Sequence, residues 1–186
     1  MSSLLAFDRL VFNALNGLHA PWLEPIVIAA SYLGVGGAIW FATALLLFFS
    51  PSRRPAAWRL ILGILLAQIT VDLVLKPIIG RDRPFVGHDE IRVLLMPGAT
   101  PSFPSGHATQ AIVGAAAASL AVPSLRIAWW SLAAVIAVSR IFVGAHFPLD
   151  VLAGILLGAF LARLVLKDVK PDNAPFAPGP VPGTAS

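Results

Sequence analysis

The residues with the clearest chemical meaning are two histidines and one aspartate. His146 and Asp150 are four positions apart, and Pro148 between them is tolerated in the first turn of a helix. Because residues at i and i+4 share a helix face, Asp150 can accept the Nδ1 proton of His146 and leave Nε2 free to attack an electrophile. His107 can protonate the leaving group. The pattern predicts a His146 nucleophile, an orienting Asp150 and a His107 acid.

A second group of residues is suited to binding phosphate. Lys76 supplies a compact positive charge, and the guanidinium groups of Arg83 and Arg140 can each hold two phosphate oxygens. Ser105 and Gly106 follow a proline where a helix is expected to begin, so their backbone N–H groups would point towards a bound anion. These five residues predict a site for a phosphoryl group and for the charge of its transition state.

Three further ionisable residues lie close to these groups in the sequence. Asp72 precedes Lys76 by one helical turn, which predicts an ion pair that positions the lysine. Arg81 and His88 belong to the loop that follows, where we expect solvated side chains, although Arg81 is close enough to Arg83 to reach a second phosphate.

The composition identifies lipid as the main solvent of the chain. Of the 186 residues, 58% are hydrophobic and only 12% are charged, whereas soluble domains carry about 25% charged residues. So little polar material cannot cover a water-exposed surface. Cysteine is absent, which excludes thiolate chemistry, and the net charge of +4 is typical of basic loops in a membrane protein.

Long apolar segments predict an all-α bundle of five or six transmembrane helices. Residues 22–50 contain three glycines between positions 34 and 37, which favours one broken span and leaves two short helices as the alternative. The clearer spans are 58–78, 105–122, 126–144 and 148–167.

The two ends of the chain differ from this membrane-embedded part. Residues 4–17 mix apolar and polar side chains and predict an amphipathic helix at the membrane surface, with a helix packed on the bundle as an equal alternative. Residues 171–186 contain five prolines without apolar periodicity, which predicts a disordered cytoplasmic tail. Residues 1–170 are then expected to form one domain.

The basic residues predict the orientation in the membrane. Seven of them fall on one side, and the positive-inside rule makes that side cytoplasmic. They are Arg53, Arg54, Arg59, Arg126, Arg163, Lys167 and Lys170. The histidines and the predicted phosphate ligands are then expected on the outer side of a bacterial-type plasma membrane.

Three motifs together resemble a known family. They are Lys76…Arg83-Pro84, Pro104-Ser105-Gly106-His107 and Ser139-Arg140…His146…Asp150. In this order and spacing they resemble the type 2 phosphatidic acid phosphatases, which share a core with the vanadium haloperoxidases. The short segments around Arg83 and Pro104 look like those of small bacterial members.

The resemblance implies a function for each matching residue. His146 would become phosphorylated, Asp150 would support it, and His107 would protonate the leaving alcohol. The phosphate ligands would be Lys76, Arg83, Ser105, Gly106 and Arg140. It also implies a helical fold, no metal or other cofactor, no nucleic acid partner, and a lipid phosphate or pyrophosphate as substrate. Undecaprenyl pyrophosphate is the first expectation, with phosphatidylglycerol phosphate or phosphatidate as alternatives.

Two other functions remain open at this point. Vanadate-dependent halide oxidation uses similar residues, but the predicted spans disfavour it because that chemistry belongs to soluble relatives. A non-catalytic protein that binds or transports lipid phosphates would need the cations alone. The presence of His107, His146 and Asp150 favours an enzyme instead.

Overall fold

The chain folds into helices joined by short turns and one long loop. This computed structural model describes residues 2–18 and 20–168, so the predicted disordered tail at 171–186 lies outside the described residues. The helices are α1 (Ser2–Asn16), α2 (Glu24–Gly34), α3 (Ala38–Phe48), α4 (Arg54–Gln68), α5 (Lys76–Ile79), α6 (Gly106–Ala121), α7 (Arg126–Phe142) and α8 (Pro148–Leu166). A π-helical stretch, Ile69–Leu75, joins α4 to α5. The described part of the chain is all-helical, as predicted.

Helices α2 and α3 form one interrupted segment rather than two separate spans. Together they occupy Glu24–Phe48, 25 residues in all. The interruption lies at Gly36 and Gly37, whose φ angles of 57° and 77° are left-handed. Glycine adopts this conformation without steric cost, so the helix can bend there and continue. The broken span favoured by the sequence is therefore what the structure contains.

The part of the chain that the structure describes contains four helical segments that are long and apolar enough to cross a membrane. They are Glu24–Phe48, Pro51–Ile79, Pro123–Phe142 and Pro148–Leu166. The remaining predicted span, 105–122, corresponds to α6. Its 16 residues extend roughly 24 Å, which is shorter than a hydrocarbon core of about 30 Å. Helix α6 packs on α4, α7 and α8, and ten of its residues are buried. It is the central helix of the bundle.

Small residues allow the helices to approach α6 closely. A Cβ atom at Gly154 or Gly158 of α8 would lie only 2.5 or 2.6 Å from a backbone carbonyl oxygen of the α6 region. Two glycines four residues apart are typical of such tight packing in membranes. This contact brings the beginning of α8 to the beginning of α6, where the backbone N–H of Ser105 donates to the carbonyl of Asp150 at 2.9 Å.

The outside of the bundle is apolar. Leu46, Phe49 and Ile127 are 69%, 80% and 83% exposed, which suits side chains that face lipid rather than water. Trp40 does not belong to this surface, although tryptophans are common in interfacial belts. It is fully buried against α6 and belongs to the core of the bundle.

Helix α1 packs on the bundle through one face. Asp8, Phe12 and Asn16, each four residues apart, are buried. The Phe12 ring lies edge-on against Phe147 with centroids 5.3 Å apart, and the Asn16 amide donates to the carbonyl of Phe142 at 3.1 Å. Large apolar residues on the rest of α1 are exposed: Leu4, Leu5, Phe7 and Leu10. The helix thus combines packing on the bundle with an apolar outer face suited to the membrane surface.

The contact between Trp40 and Gly114 gives a test of this packing. A Cβ at Gly114 would lie 2.1 Å from the indole ring. We expect Gly114→Ala to destabilise the protein by about 1–3 kcal/mol because the buried ring must move. The measurement is the thermal unfolding midpoint in detergent. Gly98→Ala is the matched control, since a Cβ there meets nothing within 4 Å. Equal midpoints for both variants would contradict the packing.

Candidate active site

Three segments converge at one end of the bundle and enclose a cavity of about 390 Å³. They are the region from α5 to Arg83, the beginning of α6, and the junction of α7 with α8. Six of the eight predicted site residues line the cavity: Lys76, Arg83, Gly106, His107, Arg140 and His146. The other two, Ser105 and Asp150, are fully buried at the ends of helices beside it.

His146 and Asp150 face each other, as their spacing predicts. Asp150 lies in the first turn of α8 and accepts the backbone N–H of Phe147 on Oδ2 at 2.9 Å, as the acidic residue of a capping box does. His146 Nδ1 lies 3.5 Å from that oxygen, which is longer than a well-formed hydrogen bond of about 2.9–3.0 Å. A small movement of the imidazole would complete a hydrogen bond that orients the ring of His146.

Burial keeps His146 neutral at physiological pH. Its side chain is almost completely shielded from solvent, and this desolvation lowers the pKa from 6.5 to about 4. The positive charges of Arg140 and Arg83 lower the pKa of His146 further, whereas Asp150 opposes the shift. The imidazole therefore has an unprotonated nitrogen, as nucleophilic attack requires.

Arg140 is held by a residue that sequence reasoning did not identify. Its Nη1 donates to the hydroxyl of Ser31, a fully buried residue of α2. Its Nε is buried and has no hydrogen-bond partner within residues 2–18 and 20–168. Ser31 precedes Arg140 by 109 positions, and a lone serine in an apolar helix gives no signal of this role.

Arg83 connects the long loop to the cavity. Its Nε donates to the carbonyl of Thr100 at 2.8 Å, its Nη2 to the Thr100 hydroxyl at 3.0 Å, and its Nη1 to the carbonyl of Ala145 at 2.9 Å. A guanidinium has five N–H donors, so two remain for an anion. Burial lowers the pKa of Arg83, opposed by the charges of Asp150 and Asp72. Arg83 thus positions residues 100 and 145 as well as lining the cavity.

Lys76 forms the predicted ion pair with Asp72. Its Nζ lies 2.7 Å from Asp72 Oδ1, and both residues line the cavity. An ammonium group has three N–H donors, so the pair leaves two for a phosphate. Asp72 lies in the π-helical stretch, a local irregularity that is frequent at functional sites.

The beginning of α6 supplies the remaining groups. The Ser105 hydroxyl accepts the backbone N–H of Ala108 at 3.5 Å and acts as the N-cap of the helix rather than lining the cavity. The imidazole of His107 packs on Gly34, where a Cβ would lie 2.7 Å from Cδ2. His107 Nε2 is buried and has no hydrogen-bond partner in the part of the chain that the structure describes. Such a nitrogen is free for proton transfer.

Comparison with known proteins decides the family. Residues 56–173 match the PAP2 superfamily, which is well over half of the chain.

The chain belongs to the PAP2 superfamily.

Similar proteins agree with this assignment. A lipid A 1-phosphatase of Rhizobium johnstonii is 32% identical, with 77% of this chain and 71% of that protein covered. An undecaprenyl-diphosphatase of Sulfolobus acidocaldarius is 33% identical, with 88% and 79% covered. The crystal structure of a PAP2-type phosphatidylglycerolphosphate phosphatase from Bacillus subtilis has a TM-score of 0.70 at 25% identity, with 90% and 86% covered. The predicted resemblance is confirmed, and the chain is a multi-pass membrane protein.

The matched PAP2 region contains all eight predicted site residues, but two residues that support them lie before it. These are Ser31, which holds Arg140, and Asp8 of α1. Asp8 forms a 2.6 Å ion pair with Arg81, which also pairs with Asp150 at 2.6 Å. Arg81 is therefore a partner of the buried Asp150 carboxylate, and the predicted solvated position is wrong for it.

The other predicted loop residue remains at the surface. His88 pairs with the exposed Glu90 at 3.1 Å, and these two side chains are outside the 390 Å³ cavity. The hydrogen bond from its own backbone and the contact with His88 hold the pKa of Glu90 below its usual value. Among the described residues, no three acidic or histidine side chains converge in the manner of metal ligands.

The hydrogen bond between Ser31 and Arg140 gives a second test. We expect Ser31→Ala to weaken inhibition by inorganic phosphate about tenfold or more, because a hydrogen bond to a charged group contributes about 1.5–3 kcal/mol. The measurement is the inhibition constant of phosphate against substrate turnover. Ser119→Ala is the control, since the Ser119 hydroxyl has no partner within the described ranges. Equal constants for the two variants would show that Ser31 does not position Arg140.

The low pKa of His146 predicts how stability depends on pH. An unfolded histidine titrates near 6.5 and the folded one near 4, so the folded state binds the proton less readily. Stability is full above about 6.5, falls as the pH drops towards 4, and changes no further below that. We expect wild type to lose stability relative to His146→Gln in this window. Unfolding midpoints at pH 7 and 4.5 measure this, and parallel changes in both proteins would contradict a buried neutral imidazole.

Proposed function

We propose that this PAP2-superfamily protein hydrolyses the terminal phosphate of a membrane lipid, with His146 as nucleophile. The observation that carries the proposal is the convergence of a buried, neutral imidazole with three cations and a second histidine on one cavity. The cations Lys76, Arg83 and Arg140 match a dianionic phosphoryl group, and the two histidines match a nucleophile and an acid. A protein that only binds lipid phosphates would have no use for both histidines.

The first step would form a phospho-enzyme. The dianionic phosphate offsets the neighbouring cations when it binds, which favours protonation of His107 from solvent. His146 Nε2 then attacks phosphorus while the bond from phosphorus to the lipid oxygen breaks, and the leaving oxygen takes that proton from His107. Asp150 stabilises the positive charge that develops on the imidazole. Unpaired N–H groups of Arg83, Arg140 and Lys76 surround the equatorial oxygens and stabilise the charge of the transition state.

The second step would regenerate the enzyme. A water molecule transfers a proton to His107, and its oxygen forms a bond to phosphorus while the bond to His146 Nε2 breaks. Inorganic phosphate leaves, and both histidines return to their initial protonation states. The net reaction consumes one lipid phosphate ester or pyrophosphate and one water.

The favoured substrate is undecaprenyl pyrophosphate, which would leave undecaprenyl phosphate. The relative from Sulfolobus acidocaldarius, named an undecaprenyl-diphosphatase, covers most of this chain. The cavity lining also includes Tyr32, Val35, Leu95 and Met96, which suits an apolar chain next to the phosphate. Phosphatidylglycerol phosphate and phosphatidate remain the alternatives, and lipid A joins them through the Rhizobium johnstonii relative.

The positive-inside rule supports an active site on the outer face of the membrane. Helices α4 and α7 begin at Arg54 and Arg126 and end near the cavity, so these basic residues lie at the opposite end of the bundle. A site on the outer face would act on lipids after they have crossed the bilayer.

Phosphate release from a panel of lipids tests this function. We expect purified protein to release inorganic phosphate from undecaprenyl pyrophosphate faster than from phosphatidylglycerol phosphate, phosphatidate or lipid A. His146→Gln should lower the rate by about 10⁴-fold or more, as loss of a nucleophile does in comparable enzymes. Acid-labile phosphate should also appear on wild type during turnover and be lost in this variant.

Three outcomes would contradict parts of the proposal. Full activity of His146→Gln would overturn the nucleophile, and loss of activity with a chelator would overturn metal independence. Preference for another lipid of the panel would replace the substrate but keep the mechanism. Halide oxidation in the presence of vanadate, without phosphate release, would replace the reaction itself.

A further inference from the structure

Three charged side chains form a continuous chain behind the active site. Arg81 lies between two fully buried carboxylates, with Nη2 2.6 Å from Asp8 Oδ2 and Nη1 2.6 Å from Asp150 Oδ1. The second oxygen of Asp8 accepts the backbone N–H of Leu149 at 2.9 Å. On the other side, Asp150 faces the Nδ1 atom of His146. These linked side chains therefore connect the N-terminal helix α1 to His146.

Asp8 has a buried charge without a direct part in phosphate chemistry. It lies on α1, outside the cavity, and both of its oxygens are occupied by Arg81 and Leu149. Burying a carboxylate costs several kcal/mol unless partners compensate, and an apolar residue would often stabilise a protein equally well. A buried acid at this position therefore requires an explanation other than packing.

The charge of Asp8 determines what Asp150 can do for His146. Arg81 donates a short, charge-assisted hydrogen bond to Asp150. Its positive charge offsets part of the negative charge that Asp150 presents to the imidazole of His146. Asp8 neutralises the same guanidinium from the opposite side. With Asp8 present, the three groups carry one net negative charge, which remains available to stabilise an imidazolium on His146.

The packing of α1 supports the same assignment independently. The guanidinium of Arg81 lies over the ring of Phe147 at 4.3 Å, and Phe12 packs against that ring from α1. Phe147 directly follows His146 in the chain. Asn16 holds the carbonyl of Phe142, at the end of α7. Helix α1 thus contacts both ends of the segment from Phe142 to Phe147, which carries His146.

We propose that Asp8 is a positioning residue, which holds Arg81 and offsets its positive charge so that the negative charge of Asp150 acts on His146. This inference rests on the proposed function, in which His146 is the nucleophile. Asp8 contacts no substrate. Its effect is on the rate of phosphoryl transfer and not on the binding of phosphate, because the phosphate ligands belong to other segments.

The first experiment separates turnover from binding in Asp8→Asn. Asparagine keeps the size of the side chain and can still accept the Leu149 N–H, but it no longer neutralises Arg81. We expect kcat to fall about tenfold or more, the scale seen when the partner of a reactive group is removed. KM and the inhibition constant of inorganic phosphate should stay within about twofold. A kcat within twofold of wild type would overturn the proposal.

Two matched controls distinguish this role from a structural one. Asp89→Asn makes the same charge change in the loop between α5 and α6, where Asp89 is exposed, and we expect it to keep the wild-type kcat. Phe12→Leu loosens α1 without changing charge. If Phe12→Leu lowers kcat as much as Asp8→Asn does, the effect belongs to packing and the proposal fails.

A double-mutant cycle tests whether Asp8 acts through Arg81. We expect the variant carrying Asp8→Asn and Arg81→Gln to have the kcat of Arg81→Gln alone, since Asp8 has nothing to neutralise once Arg81 is absent. Multiplicative losses in the double variant would show independent action and overturn the proposal. If Asp8→Asn does not fold, Arg81→Lys decides instead. It keeps the charge but not the two-pronged contact, so kcat should fall with KM retained, and an unchanged kcat would overturn the proposal.

Phosphate release by the wild-type protein distinguishes failure of this inference from failure of the proposed function. If wild type releases no phosphate, or if His146→Gln remains active, the proposed function fails. If wild type is active and depends on His146 while Asp8→Asn equals wild type, only the role of Asp8 fails.

Discussion

The structure depends above all on a carboxylate that is buried at the end of a helix. Asp150 is completely inaccessible to solvent, and the bundle around it is apolar, so its charge must be met by protein groups. The backbone N–H of Phe147, the N-cap of α8, and the guanidinium of Arg81 both donate to it, and His146 is the remaining neighbour on the cavity side. Arg81 belongs to the loop after α5, whereas His146 and Phe147 belong to the junction of α7 with α8, so this one carboxylate connects two segments of the fold.

The packing of small residues makes this arrangement possible. Glycines of α8 let it approach the carbonyls of α6, and this contact brings Asp150 beside Ser105. The same approach brings Gly106 and His107, at the beginning of α6, to the cavity that His146 also lines. In a bundle surrounded by lipid the hydrophobic effect contributes little to helix association, so close contact and buried hydrogen bonds have to supply the specificity.

The motif residues could be predicted because their chemistry is local. His146 and Asp150 share a helix face through their spacing alone, and the ion pair of Asp72 with Lys76 follows from the same periodicity. The partners of the site could not be predicted in this way. Ser31 contacts Arg140 across 109 positions and Asp8 contacts Arg81 across 73, and helical periodicity carries no information over such separations. For α1 the sequence did contain a signal, because Asp8, Phe12 and Asn16 are spaced four residues apart and so share one helix face. The structure buries all three.

The amino-acid sequence by itself determined the membrane environment, the helical architecture, the family and the eight residues that form or adjoin the cavity. It could do so because hydropathy, helical period and short motifs are properties of neighbouring residues. Only the tertiary structure decided that α1 packs against the segment that carries His146, that α2 supports Arg140 beside the cavity, and that Arg81 joins two buried acids. These contacts form between residues far apart in the sequence. Their energies depend on which charged and polar side chains lie next to each other once water is excluded.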